Sequence, residues 1–422
     1  MIAQLFIVFF VLMMLGMPLA YAMATASGLC FFLTPELPNL TMAQKMFTAM
    51  DSFSMLAIPF FMFAGSLMNE TGITEKIIAF AKTIVGHFRG GLAQATVVTG
   101  VMLAGKSGSA NADTSILAKI MVPALEKEGY EKGFSCSLVA GCGALAPVIP
   151  PSIMMVVYSG VTAISIASLF MAGIVPGLII GGGYLIVNYL YARKRGIPKS
   201  HFVGLAAVWK TFKKAIWALM MPLIIIGGIM SGMVTATESG MIATVYGLIY
   251  GFASKNLTLK TLKKCIDDAV SATVNPMLII SFAGLFGFLI TYNHFSELVM
   301  GIMNGITTNP YMILIIISII LLIAGMLLDA NAALLMLVPI FAPLISVYGY
   351  DEIHFAMVCI LTLVMGGMSP PVAMLLYIAS SCTETPLDQV VKHIWPFLVV
   401  NYAVVILVIF CPIIVTWLPA LM

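Results

Sequence analysis

Two short tracts carry polar side chains inside otherwise apolar surroundings. AGKSGSANADTS (104–115) gathers Lys106, Ser107, Ser109, Asn111, Asp113, Thr114 and Ser115, and GMLLDANAA (325–333) gathers Asp329 and Asn331. Each is followed by an apolar stretch full of helix breakers. GCGALAPVIPPSIMM (141–155) carries Gly141, Gly143, Pro147, Pro150 and Pro151, and VMGGMSPPVAMLL (364–376) repeats the device. A break at membrane depth frees backbone carbonyls, which are tolerated only where protein or a watery cavity satisfies them. Transporters with inverted repeats use such carbonyls to bind cations and half-helix N-termini to face anionic substrate groups.

Sodium prefers oxygen ligands, and a buried ion needs several to replace its water. Ser107, Ser109, Gly143, Val148 and Pro150 offer hydroxyls and carbonyls for a first Na+ site; Asp329, Asn331, Gly367, Met368 and Pro370 offer a second. Lys106, Ser107, Gly108, Ser109, Asn111 and Asp113, with Ser152 and Ser369 nearby, are the candidates for holding an anionic substrate group. An Asp or Lys at mid-membrane costs roughly 2.5–3.5 kcal/mol on insertion scales, so retaining Lys106, Asp113 and Asp329 there argues for a role. A structural alternative stays open: these groups pair with one another or cap the hairpin arms, since Asp and Asn are good N-caps.

Other chemistry finds little support. His87, His201, His294, His354 and His393 fall in loops or at helix ends without metal spacing, and no Ser or Cys nucleophile accompanies one. An aspartyl-type intramembrane protease fits poorly, because Asp113 and Asp329 sit in asparagine-bearing tips. Cys30, Cys136, Cys142, Cys265, Cys359, Cys382 and Cys411 lie singly and read as small apolar packing residues. Glu238, in TATESG (235–240), reads as a first-turn carboxylate rather than a site residue.

The elements that must position the tips are membrane helices. Of 422 residues 61% are hydrophobic and 9% charged, mean hydropathy is +1.09, and apolar runs of about 20 residues recur throughout. The net charge of +3 sits in loops, so nucleic acid is not an expected partner. MIAQLFIVFF lacks a basic region before it and reads as a first spanning helix rather than a signal peptide.

The chain repeats itself. MATASG (23–28) is echoed by TATESG (235–240), FAG at 63–65 by 282–284, Asp113 by Asp329, Gly129-Tyr130 by Gly349-Tyr350, Pro150-Pro151 by Pro370-Pro371, and Pro176 by Pro396. Order is kept at a spacing of roughly 220 residues. Each half reads as two apolar spans, a third containing FAG, an apolar hairpin around a polar tip, a broken helix and a long final helix. With re-entrant hairpins each half crosses an odd number of times, so the halves are inverted. Placing both termini outside puts all Lys and Arg residues except Lys45, Lys106 and Lys119 in the cytoplasmic segments 71–90, 126–133, 191–215, 253–268 and 383–393 or their short flanks. Fully spanning hairpin arms would leave this parity unchanged. TEKIIAFAKTIVGHFRGG (74–91) and ASKNLTLKTLKKCIDDA (253–269) read as basic amphipathic stretches on the cytoplasmic lipid surface.

The expected architecture is an all-α polytopic membrane protein with inverted-topology repeats, two re-entrant hairpins and two broken helices. Its segments are scaffold helices and an amphipathic helix (1–90), hairpin 1 and its broken helix (91–160), and a long connecting helix with basic linker and scaffold helices (161–270). A helix leading to hairpin 2 (271–309), hairpin 2 and its broken helix (310–382) and a C-terminal helix (383–422) complete it.

KSGSANADTS (106–115), GALAPVIPPSIMMVVYSG (143–160), FMAGIVPGLI (170–179) and MGGMSPPVAMLLY (365–377) together resemble the large membrane subunit of tripartite ATP-independent periplasmic transporters, over essentially the whole chain. The resemblance implies a sodium-driven symporter of the bacterial inner membrane with an elevator-type mechanism. It also implies a separate small four-helix membrane subunit and a soluble periplasmic binding protein as partners. The implied cargo is a carboxylate-bearing organic acid, of the sialic acid or C4-dicarboxylate class, with a lean to sialic acid. The family's first sodium site maps onto Ser107, Ser109, Val148 and Pro150, and its second onto Asp329 and the region Gly367–Pro370. Lys106 fits either of two roles, attracting the carboxylate or neutralising Asp113. A proton-coupled carrier using Asp113 and Asp329 is the alternative within transport, and a channel fits an inverted repeat poorly.

Overall fold

The computed structural model describes residues 1–199 and 204–422, without the side chains of residues 105–107. His201 and the side chains of Lys106 and Ser107 therefore lie outside the described residues. The first half contains α1 (Ile2–Met14), α2 (Leu19–Phe32), α3 (Asn39–Met50), α4 (Ala57–Glu70), α5 (Ile73–Val85), α6 (Gly91–Ser107), α7 (Ala110–Lys127), α8 (Lys132–Gly143), α9 (Ile153–Thr162) and α10 (Ile166–Lys194). The second contains α11 (Leu205–Met230), α12 (Ala236–Ala253), α13 (Leu259–Tyr292), α14 (Phe295–Ile306), α15 (Pro310–Leu327), α16 (Ala330–Phe341), α17 (Pro343–Tyr348), α18 (Glu352–Gly366), α19 (Met374–Thr383) and α20 (Leu387–Phe410), before a terminal α21 (Ile413–Thr416).

The halves agree down to single residues. Ser109 and Asp329 are the N-caps that start the second arm of each hairpin. Gly129 and Gly349 end those arms in the left-handed region, at φ +89 and +67, which glycine adopts without a Cβ penalty. Both breaks contain a cis Pro-Pro bond, at Pro150-Pro151 and Pro370-Pro371. Beyond them, Ala163 and Glu384 hold φ +61 and +52. Ser159 and Ser380 close the same turn by donating to Ile164 O and Thr385 O, each at 2.5 Å. Thr235 and Glu238 form a reciprocal capping box at the start of α12, so Glu238 serves the helix end.

Two expectations change in detail. Among the described residues six helices are long and apolar enough to cross a membrane, including α10, α11, α13, α15 and α20, but α1 and α2 have only 13 and 14 residues. At 1.5 Å per residue each is about 20 Å long, short of a hydrocarbon core of about 30 Å. The chain turns between them at Gly16 (φ +85) and Pro18. Parity survives, because a short pair that dips and a pair that crosses twice both return to the starting side. The second change is that α13 runs unbroken for 34 residues, through residue 270, where the segmentation placed a boundary. Its first-half counterpart is divided into α3 and α4 at Asp51–Ser52.

The helices pack in two sets, joined where α5 lies on α6 and α16 on α13. α2, α3 and α4 gather on α13, with α12 on α4, α11 on α5 and α12, and α1 on α2. In the other group α7, α19 and α20 pack on α8, α15 and α20 on α18, and α6 and α20 on α10. α10 thus joins the hairpins rather than the basic linker that follows it. Its glycines explain this. A Cβ at Gly173 would lie 2.1 Å from Val148 O, one at Gly177 2.4 Å from Ile149, and one at Gly181 2.9 Å from Val101. Residues spaced by four share a helix face, so α10 presents one smooth side to the first break and α6. Glu131 ties the ends of α8, α10 and α20 by pairing with Arg195 and with His393 at 2.8 Å.

The second hairpin meets its broken helix at a backbone contact. A Cβ at Gly366 would lie 2.6 Å from the carbonyl carbon of Gly325 and 2.9 Å from Leu322 O. Gly366→Ala is expected to destabilise the fold by about 1–3 kcal/mol, the usual cost of overpacking. Gly182→Ala, at a position with nothing within 4 Å, should leave stability unchanged or raise it by up to about 1 kcal/mol. Thermal unfolding midpoints in detergent compare the two.

Candidate functional site

The sequence of each hairpin arm decides where its helix begins. Ser109 accepts from the backbone N–H of Ala112 at 3.4 Å and Asp329 from that of Asn331 at 3.0 Å. Each cap satisfies one N–H of a helix start, whose remaining donors carry the positive end of the helix dipole, equivalent to about half a charge. The half-helices after the breaks begin at Ile153 and Met374. Ser152 caps α9 by accepting from Met155 N at 3.2 Å while donating to Pro147 O at 2.6 Å. α19 has no side-chain cap, and the residue before it, Ala373, sits at φ +49.

All four helix starts meet one cavity of about 980 Å³. Ser109 to Ala112 of α7, Ile153 and Met154 of α9, Asp329 to Ala332 around the start of α16, and Met374 and Leu375 of α19 line it, with Pro147 and Gly367 from the two breaks. Convergent helix N-termini form an anion-binding arrangement. Asp329 and Asn331 add a carboxylate and an amide oxygen, and the buried Asn331 Oδ1 has no hydrogen-bond partner among the described residues. Ser109 Oγ, Asn331 Oδ1 and Asp329 are the kinds of hard oxygen ligand that a sodium ion takes.

The predicted residues divide accordingly. Gly108, Ser109, Asn111, Asp329, Asn331 and Gly367 are brought together on the cavity wall. The first tip touches the first break directly: a Cβ at Gly108 would lie 2.8 Å from Ile153 N and 2.9 Å from Pro151 O. Gly143, Val148 and Pro150 lie just behind, fully buried. Gly143 packs against Thr114 and Ala110 O, and Val148 O against Gly173. Asp113 does not line the cavity; it is 3% exposed, on the inner side of α7, with its N–H on Ser109 O. Ser152 is likewise buried behind the wall. Ser369 is 1% exposed and donates to Met365 O at 2.9 Å. Met368 is buried and Pro370 half-buried outside the wall. The side chains of Lys106 and Ser107 lie outside the described residues.

Sequence reasoning missed the opposite wall. Met62, Ser66 and Asn69 of α4 and Asp268, Ala272, Asn275 and Ile279 of α13 face the tips across the cavity. Their spacing is the signal that could have found them, since polar residues three and four apart on apolar helices share one face. The cavity extends along α4 and α13 as far as Asn69 and Asp268.

Residues 6–414 match the family described as the DctM component of tripartite ATP-independent periplasmic transporters. A sialic acid transporter permease of this tripartite kind (SiaT), from Haemophilus influenzae, is 33% identical over 417 residues, covering 99% of this chain and 68% of that protein. A C4-dicarboxylate large permease (DctM), from Rhodobacter capsulatus, is 33% identical over 426 residues, covering 97% of each. Both relatives are named as permeases, not enzymes. The fold resembles the crystal structure of the Alcanivorax borkumensis YdaH transporter, with TM-score 0.65 at 14% identity, covering 91% of this chain and 88% of that one.

Proposed function

The chain belongs to the DctM component family of tripartite ATP-independent periplasmic transporters, and from that membership we propose that it carries a carboxylate-bearing organic acid inward, coupled to sodium. The observation that carries this reading is the single cavity at which four helix N-termini, two from each repeat, converge beside Asp329. Helix N-termini attract a carboxylate; Asp329 alone would repel it. Two like charges 5 Å apart at an effective dielectric of about 20 repel by about 3 kcal/mol. A sodium ion between them turns that repulsion into attraction, so cation and anion each raise the other's affinity by the same factor. Empty, the tip carries an unbalanced carboxylate; with a sodium ion in each of the two sites and one carboxylate bound, the charges sum to zero and the loaded tip is ready to move.

Sodium fits the donor set: the hydroxyl of Ser109 with the carbonyls of Gly143, Val148 and Pro150 at the first site, and Asp329, Asn331 and the Gly367–Pro370 backbone at the second. Ser107 extends the first set on sequence grounds. The hairpins dip into the membrane from opposite sides and move with α8–α10 and α18–α20 as the sliding body of an elevator. α1–α5 and α11–α14 stand as the scaffold, bearing the small membrane subunit and the docked periplasmic binding protein. The exposed Trp209 and Trp217 of α11 suit the former contact. The basic loops face the cytoplasm, so a cavity reaching Asp268, beside the basic stretch 253–268, opens inward.

Substrate identity does not follow from likeness, since a sialic acid permease and a dicarboxylate permease match equally well. Uptake into proteoliposomes containing this chain and its small subunit tests both classes, each with its own binding protein. An inward sodium gradient is expected to drive uptake of one of them, and an equal potassium gradient at the same pH to drive none. Uptake that follows a proton gradient and ignores sodium would overturn the coupling and favour titration of Asp329.

A further inference from the structure

The two breaks are secured by different means. Every residue from Ala144 to Ser152 is buried, and the first break is closed from within by Ser152 and packed on the glycine face of α10. The second is more open. Pro371 and Val372 are exposed, and α19 starts without a side-chain cap. Its own hydrogen bonds fix part of it: the Gly367 carbonyl accepts from Leu375 N at 3.1 Å, and Met368 N and Ser369 N donate to Met365 O and Gly366 O. The stretch from Met368 to the proline pair is what remains to be held.

Side chains from the two long final helices reach it. Tyr184 of α10 and Asn401 of α20 are 0% and 6% exposed. Asn401 Nδ2 donates to Tyr184 Oη at 2.8 Å, and that hydroxyl lies 3.2 Å from Asn401 Oδ1. The same amide nitrogen stands 3.6 Å from Met368 Sδ, with Tyr184 Oη at 4.0 Å. The neighbouring Tyr402 Oη lies 3.2 Å from Ser369 Oγ. Two successive residues of the break are thus each met by one of two successive residues of α20. The repeat makes the contrast sharp. The positions corresponding to Asn401 and Tyr184 in the other half are Gly181 and Val404–Val405, so the equivalent positions supply no such polar clamp to the first break.

A buried tyrosine and asparagine that only stitched α10 to α20 would be satisfied by each other. The approach of both to Met368 is surplus to that task, and it falls on the residue between Gly367 and the Pro370-Pro371 bond. We propose that Tyr184 and Asn401 are positioning residues for the second cation site, holding Met368 so that its carbonyl faces the Asp329 tip. Partners one step removed from an ion typically change its affinity 10–100-fold when lost. The inference rests on the sodium reading of that site.

The test uses the full chain with its small subunit, purified in detergent. Thermal unfolding midpoints are followed as NaCl replaces KCl at constant total salt. Tyr184→Phe, Asn401→Leu and the double variant are compared with the wild type. The double variant guards against misfolding, because removing both polar partners leaves neither group orphaned. The half-saturating sodium concentration is expected to rise about tenfold or more in Asn401→Leu and in the double variant. The midpoint of the double variant in potassium alone should stay near that of the wild type, whereas Asn401→Leu, which leaves the buried Tyr184 hydroxyl without its close partner, should lower it. A lowered potassium midpoint with an unchanged sodium half-point would assign the pair a purely structural role and overturn the proposal. A wild type that sodium does not stabilise overturns the cation site itself, whereas a responsive wild type with identical variants overturns only the positioning role.

Discussion

Asp329→Asn is expected to lower sodium-driven uptake at least about 100-fold, the upper end of what changes one shell further out cost, while leaving the folded chain intact. The reasoning separates two jobs of one side chain. Asp329 Oδ1 accepts from Asn331 N at 3.0 Å and starts α16. Asparagine keeps that acceptor and caps as well as aspartate does, so the thermal midpoint in potassium should not move. What the substitution removes is the charge, and with it the attraction that holds a cation beside a bound carboxylate. Asp329→Ala removes both and should add about 1 kcal/mol of destabilisation. If the asparagine variant transports normally, Asp329 is a cap and nothing more. If it transports without sodium, the neutral side chain has substituted for the bound ion, and the repulsion argument stands while tight coupling is lost.

How far the sequence discloses this arrangement depends on the kind of signal involved. The repeat was legible because turns and breaks need particular residues: Gly129 and Gly349 occupy left-handed backbone, and the paired prolines mark both breaks. The tips were legible because polar residues in an apolar chain stand out, and Ser109, Asn111, Asp329 and Asn331 do line one cavity. Composition does not say which way a side chain points. Asp113 follows Ser109 by one helical turn, yet it faces inward. The wall formed by Ser66, Asn69, Asp268 and Asn275 was hidden because two helices far apart in sequence supply it. Helix lengths were obscured for a third reason. Apolar character continues through Gly16–Pro18, so hydropathy alone joins α1 to α2 where the backbone turns. The Tyr184–Asn401 clamp gave no sequence signal at all, since single polar residues in long apolar helices also arise from packing.

Gly108→Ala should abolish uptake more completely than any other single methyl group added to this chain. Gly108 holds φ +60 at the tip of the first hairpin, and a Cβ there would sit 2.8 Å from Ile153 N and 2.9 Å from Pro151 O. Both neighbours are backbone atoms of the break, which no rotamer change can clear. Left-handed backbone costs a non-glycine residue roughly 1–2 kcal/mol, and overpacking adds about 1–3 kcal/mol. At 1.4 kcal/mol per factor of ten, seating the tip on the break becomes less favourable by between about 30-fold and several thousand-fold. Gly129→Ala provides the comparison. It bears the same kind of strain, at φ +89, but has nothing within 4 Å, so its cost is the backbone term alone. Both variants lose stability at a hairpin end; only Gly108→Ala lifts Ser109 and Asn111 away from the start of α9. Uptake rates and sodium half-points for the two, normalised to folded protein, therefore separate strain from displacement. Equal losses would mean that contact between tip and break does not form the site. A selective collapse in Gly108→Ala would place the first cation and the carboxylate at that contact.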